Sequence, residues 1–254
     1  MFSLFIMGTA GAGKSLFTGS FLEWLKQKDQ NVITVNLDPG AQYLPYNPDV
    51  DVRAQIDINE VMNSYKLGPN GALVMASDLV ASELDKIQGQ IDDLDPDYAL
   101  IDTSGQMELF AFRASGPFIA KELKTDQKAV LYIFDSVFSN NPINYVSNMF
   151  LAAAVNIRFN LPQIHALSKT DILPSKKVKE ILDWSSKPAL LESALESSGE
   201  WTRTLLSRDV MKSMERLGLT FSLIPLSSTT SKGFTELFAN LQRIFMSGEE
   251  IIKG

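Results

Sequence analysis

Cysteine is absent from the 254 residues, and histidine occurs once, at His165. Without thiols the chain forms neither disulfides nor zinc–thiolate centres, and thiol nucleophiles are excluded. A single histidine argues against a multi-histidine metal centre and against a histidine-based catalytic triad. Positive charge is also scarce: 23 basic side chains face 30 acidic ones, for a net charge of −7. Bulk binding to nucleic acid or to anionic lipid needs a cationic face, so neither partner is expected, and a polyanionic ligand must be held by a local site. No apolar run approaches the ~20 residues needed to cross a bilayer. The apolar opening from Met1 to Gly8 is too short for a signal peptide and lacks a basic leader, so a cytoplasmic protein is expected. What remains, 45% hydrophobic and 21% charged residues, excludes disorder as the main state.

Short apolar runs at 2–7, 32–37, 98–102, 129–134, 163–167 and 221–226 do not alternate with polar residues. That is the pattern of strands buried on both faces of a parallel sheet. Helical patterns at 15–28, 72–94, 106–123, 144–159 and 232–246 separate them. Strand and helix in alternation predict a three-layer α/β/α fold with a mostly parallel central sheet, whose ligands bind at the carboxyl ends of the strands. Two stretches interrupt the alternation: a Pro-containing insertion at about 39–70, with one short helix near 57–66, and a helical insertion at about 174–219. Neither has an obvious core of its own, so one domain is expected over 1–254.

The strongest motif is Gly8-Thr-Ala-Gly-Ala-Gly-Lys14-Ser15, which fits the P-loop pattern at every fixed position, after an apolar strand and before a helix. The fold expected is therefore that of a P-loop NTPase. Backbone N–H groups of Gly8, Ala10, Gly11, Ala12, Gly13, Lys14, Ser15 and Leu16 would surround the phosphates, aided by the positive end of the helix. Lys14 would reach the β- and γ-phosphates, and Ser15 would offer its hydroxyl to Mg²⁺. The plainer alternative is a Gly-rich turn without a ligand.

A second apolar strand ends in Asp102-Thr-Ser-Gly105-Gln106. Asp102 is placed to hold Mg²⁺ through a water, Gly105 to offer its N–H to a γ-phosphate, and Gln106 to orient an attacking water. The alternatives are a helix cap for Asp102 and a solvated helix start for Gln106. A third strand ends in Ser168-Lys169-Thr170-Asp171, similar to the guanine-recognition tetrapeptide of GTPases. Asp171 can accept from guanine N1–H and from the 2-amino group, donors that adenine lacks, and the stem of Lys169 can cover the base. Ser228, after the last strand, is a candidate for a backbone contact to guanine O6; a cap for the helix near Lys232 is the alternative. His165 lies within an apolar strand and reads as a buried, hydrogen-bonded side chain. Arg53 and Arg113 read equally as phosphate contacts or surface ion pairs.

Four motifs in order, with Ser168-Lys-Thr-Asp171 completing the set, resemble the GPN-loop GTPases in their homodimeric, archaeal-type form. They are Gly8 to Ser15, Asn36-Leu-Asp38-Pro39-Gly40, Gly68-Pro69-Asn70, and Asp102-Thr-Ser-Gly-Gln106-Met-Glu108. Gly40 stands where the family usually has Ala, and Ser104 where it often has Pro. The resemblance implies a homodimeric, Mg²⁺-dependent GTPase that converts GTP to GDP and acts as a molecular switch. It implies that Gly68, Pro69 and Asn70 of one copy complete the partner's site, and that Asp38 serves the catalytic water or the Mg²⁺ shell. It also implies a protein client and an assembly or chaperone-like role. Two readings compete: a small-molecule phosphotransferase, which needs an acceptor pocket and usually a basic lid, and a GTP-gated binding protein without turnover. For Gly68-Pro69-Asn70 the local alternative is a turn with Asn70 capping the helix from Ala72.

Overall fold

The computed structural model describes residues 1–197, 209 and 222–246. Its sheet has seven strands: β1 (Phe2–Gly8), β2 (Val32–Asn36), β3 (Val50–Asp51), β4 (Tyr98–Asp102), β5 (Gln127–Asp135), β6 (Gln163–Ser168) and β7 (Leu223–Pro225). They lie in the order β3-β2-β4-β1-β5-β6-β7, and every neighbouring pair is parallel. The apolar runs are continuous because both faces are covered. On the central strand, Leu4 and Ile6 face one layer while Phe5 and Met7 face the other, all at most 2% exposed. Each such side chain contributes roughly 1.5–3 kcal/mol of transfer free energy.

One layer is α1 (Lys14–Lys26) with α10 (Phe234–Met246). Phe234, Leu237, Leu241 and Phe245 line one stripe of α10 and meet Phe17, Phe21 and Leu25 of α1. The rings of Phe21 and Phe234 meet edge to face, with centroids 5.2 Å apart. The opposite layer holds α2 (Ile58–Tyr65), α3 (Pro69–Ser82), α4 (Leu84–Leu94), α5 (Met107–Phe110), α6 (Ser115–Glu122), α7 (Pro142–Phe159), α8 (Ser175–Ser186) and α9 (Pro188–Glu196). The helices α8 and α9 open the stretch expected as a helical insertion; from residue 198 on, apart from Asp209, that stretch lies outside the described residues, as does Phe221 at the start of the last expected strand.

Three local readings change. The helix expected over 72–94 is two helices, broken at Glu83. Its buried residues Ala72, Ala76, Val80 and Leu84 recur every four positions, which drifts by about 40° per step against a period of 3.6; the break resets the stripe for Ile87 and Ile91. The helix expected over 106–123 is also two, separated by the turn at 111–114. There Arg158 donates to the carbonyls of Ala111 (2.6 Å) and Arg113 (3.0 Å), groups that a continuous helix would have satisfied internally. Finally, the Pro-containing stretch supplies β3, a two-residue edge strand in register with Val35 and Asn36.

Candidate active site

The carboxyl ends of β1, β2, β4, β5 and β6 converge on one edge of the sheet. Gly8 ends β1 at φ +149, and a Cβ there would stand 2.6 Å from the carbonyl oxygen of Ile133 on β5. Only glycine fits this approach, which lets the chain leave the sheet as a tight loop. The loop enters α1 through Gly13, a left-handed cap at φ +94 with no side-chain hydrogen bond, so the helix opens on free N–H groups. Ala10, Gly11 and Leu16 are exposed, whereas Ala12 and Lys14 are buried.

Lys14 is 5% exposed and donates to the carbonyls of Gly8 (2.9 Å), Thr9 (3.1 Å) and Gly105 (3.3 Å). Burial lowers its pKa, while Asp102, Asp38 and Glu108, in that order, support its charge. Gly105 is bound from its other side too: its N–H donates to Asp38 Oδ2 at 2.9 Å. The second oxygen of Asp38 accepts from the Gly40 N–H at 2.9 Å. Asn36 braces this turn, accepting from the Asp38 N–H and donating to Asp51. The loops after β1, β2 and β4 thus form one connected cluster around Lys14. Gln106 and Glu108 are exposed at the start of α5.

Asp102 is 1% exposed. Burial raises its pKa to about 6, against the pull of the nearby Ser15 hydroxyl, the Tyr46 hydrogen bond and the Lys14 charge. Tyr46 donates to Oδ2 at 2.9 Å, whereas Oδ1 is buried with no hydrogen-bond partner. An open carboxylate oxygen beside a serine hydroxyl is an oxygen-only donor set, which suits a hard divalent cation that keeps most of its shell as water and phosphate oxygen. Among the described residues no cluster of three or more acidic or histidine side chains offers a self-sufficient metal cage.

The loop after β6 is tied to the same edge. Ser168 donates to the carbonyl of Ala12 in the phosphate loop at 2.8 Å, and Lys169 donates to Gly11 O (2.6 Å) and to Asp135 Oδ2 (2.7 Å). Thr229 donates to Asp171 Oδ2 at 3.0 Å. Hydrogen bonding from Ser227 and Thr229 holds the Asp171 carboxyl below its ordinary value. Ser228 is half-buried between them. Sequence reasoning missed Tyr46 and Asp135; the polar end of an apolar strand was a usable signal for Asp135, but Tyr46 carried none.

Gly68, Pro69 and Asn70 are exposed at the start of α3. Gly68 caps the helix and Pro69 occupies its first position, so Asn70 lies inside the first turn and is not the cap. Pro69 shares a cleft of about 450 Å³ with Pro39, Gly40 and Arg53. Arg53 and Arg113 are engaged structurally. Arg53 forks onto Asp51 and donates to Ala41 O at 2.8 Å, and Arg113 grips both carboxylate oxygens of Asp78 on α3. His165 is buried in β6, its Nε2 2.9 Å from the Gln163 amide nitrogen.

A protein family described as "Conserved hypothetical ATP binding protein" matches residues 6–247. The GPN-loop GTPase QQT2 of Arabidopsis thaliana is 33% identical over 205 residues, covering 79% of this chain and 53% of that protein. GPN-loop GTPase 1 of Dictyostelium discoideum is 28% identical over 94% of this chain and 60% of its own length. The chain therefore spans less than two thirds of either relative. GPN-loop GTPase PAB0955 of Pyrococcus abyssi is 31% identical, over 91% of this chain and 92% of that protein. The crystal structure of PAB0955, a GTPase in apo form, superposes with a TM-score of 0.83 at 30% identity, covering 96% of this chain and 97% of that one. On the family match across almost its entire length, and on the close correspondence to PAB0955 in sequence and in fold, this chain belongs to the GPN-loop GTPases.

Proposed function

We propose that the chain binds GTP with Mg²⁺ and hydrolyses it to GDP and phosphate as a homodimer, with the Gly68-Pro69-Asn70 turn of one copy completing the site of the other. The observation that carries the hydrolytic reading is the wiring of Gly105. Its carbonyl accepts from Lys14 and its N–H donates to Asp38, so a γ-phosphate that claims the N–H must change the partners of Asp38. The freed carboxylate is then an acceptor for the attacking water, beside Gln106. Mg²⁺ would be held on the side of Ser15 and Asp102, where it would neutralise developing phosphate charge. Lys14 balances the same charge from within the loop.

Guanine preference over adenine is supported by Asp171, whose carboxylate is fixed by Thr229 and whose remaining lone pairs suit the N1–H and 2-amino donors. The homodimer is supported by Asn70, which is exposed and for which no side-chain hydrogen bond ties it to the chain's own phosphate loop among the described residues. Its amide can donate to a phosphate oxygen or to the attacking water without adding charge. Cytoplasmic residence fits the finding that no described helix is long and apolar enough to cross a membrane. A switch of this kind acts through a protein client, with α8 and α9 as the surface that would carry the change.

The test is phosphate release from GTP and from ATP by wild type and Asn70→Ala at several protein concentrations. The expected result is a strong GTP preference, turnover per subunit that rises with concentration, and slow turnover by Asn70→Ala with GTP affinity retained. Normal hydrolysis by Asn70→Ala, independent of concentration, would sink the dimeric mechanism.

A further inference from the structure

Tyr46 lies outside every motif around the phosphate loop, yet it touches the centre of the site. Its hydroxyl donates to Asp102 Oδ2 at 2.9 Å across 56 positions of sequence. Its ring is seated on α1 at Gly19, where an added Cβ would stand 3.1 Å from Tyr46 Cβ and 3.5 Å from Cδ1. Glycine inside a helix costs about 1 kcal/mol relative to alanine, and here it lets Tyr46 pack directly on the helix backbone. The segment is anchored on the far side of Tyr46 as well: Asp49 accepts from the N–H (2.7 Å) and the hydroxyl (2.9 Å) of Thr34 on β2. Tyr46 is therefore held by the ring, by the following backbone and by its own hydroxyl bond.

The consequence falls on Asp102. With Oδ2 engaged, the carboxylate is held against rotation, and Oδ1 is the one oxygen left buried and without a partner. We propose that Tyr46 is a positioning residue for the magnesium ion: its hydroxyl bond to Asp102 Oδ2 orients the carboxylate so that Oδ1 meets the ion's hydration shell beside Ser15. This inference rests on the Mg²⁺-dependent reading above. Outer partners of metal-side groups of this kind typically change metal affinity by about 10- to 100-fold when removed.

The experiment is release of fluorescently labelled GDP from wild type, Tyr46→Phe, Gly19→Ala and Asp102→Asn, across Mg²⁺ concentrations and in excess EDTA. Tyr46→Phe keeps the ring on Gly19 and loses only the hydroxyl; Gly19→Ala keeps the hydroxyl and presses on Tyr46 Cβ, 3.1 Å from the added methyl. Tyr46→Phe is expected to need at least about 10-fold more Mg²⁺ to slow release and Gly19→Ala a smaller increase; both should match wild type in EDTA and be surpassed by Asp102→Asn, which should lose the Mg²⁺ response. Two results overturn the role of Tyr46: a Tyr46→Phe curve that coincides with wild type at every Mg²⁺ concentration, or faster release by the same factor with and without Mg²⁺, the mark of a merely structural residue. Wild-type release that ignores Mg²⁺ and EDTA alike would instead overturn the magnesium reading itself, and the inference with it.

Discussion

His165 offers a clean quantitative test, because it is the only histidine in the chain. Burial lowers its pKa from 6.5 to about 4. The folded chain keeps it neutral over a range in which the unfolded chain protonates it. Below pH 6.5 the unfolded state therefore binds more protons, so stability is intact above that pH and falls as pH drops toward 4. The loss at pH 5 is about 2 kcal/mol, approaching about 3 kcal/mol at pH 4. Asp102 acts in the opposite sense. Its pKa is raised from 3.8 to about 6, so the folded chain takes up its proton first and gains stability as pH falls through 6. The two slopes offset in wild type, and the difference between wild type and His165→Gln isolates the histidine. The two sites lie on strands three sheet spacings apart, roughly 14 Å, beyond the range over which substitutions usually couple. Urea unfolding of the metal-free proteins at pH 7, 6 and 5 should show the stability advantage of wild type over His165→Gln shrinking by about 2 kcal/mol from pH 7 to 5. A pH-independent difference would refute the reasoning, as would a histidine NMR resonance in the folded protein that titrates near 6.5.

Other perturbations address the site directly. Lys14→Ala removes the charge proposed to face the phosphates, and GTP affinity by calorimetry should fall about 100-fold with the fold retained by circular dichroism. Asp171→Asn turns the proposed base acceptor toward a donor; GTP affinity should fall about 100-fold while xanthosine triphosphate, which carries a carbonyl in place of the 2-amino group, should gain in competition binding. Gly8→Ala forces a Cβ to 2.6 Å from a backbone oxygen at φ +149; thermal unfolding should occur about 4–8 °C lower, corresponding to roughly 2 kcal/mol.

The parts legible in the sequence are those whose logic is local. The phosphate loop needs glycines, Lys14 and Ser15 at fixed offsets between a strand and a helix, and each strand buried on both faces announces itself as a run of Ile, Val, Leu and Phe. Asp102 was legible for the same reason, as the polar residue that ends an apolar strand, and Asp171 as the last residue of a tetrapeptide just past another. The break at Glu83 was not, because neither proline nor glycine marks it and it answers to a phase drift along the core. Strand β3 has two residues and is made by pairing with Val35 and Asn36, leaving no pattern of its own. Tyr46 and Asp135 find their partners 56 and 34 positions away; such contacts exist only once the sheet edge has gathered the loops. The turn at Gly68 was visible as a helix start, but the cap fell two residues earlier than Asn70, because Pro69 suits the first helical position and carries no N–H to be capped.

The ammonium of Lys14 has three donors, and all three are engaged by carbonyls of Gly8, Thr9 and Gly105. An incoming anion therefore gains this lysine only by exchange. The count of hydrogen bonds stays level, and what distinguishes the new partner from the old is its formal charge. A monoanion adds one formal charge to what the carbonyl it evicts supplied, whereas a polyphosphate adds several. The exchange at Lys14 therefore favours ligands of dense charge, independently of any contact made elsewhere on the ligand.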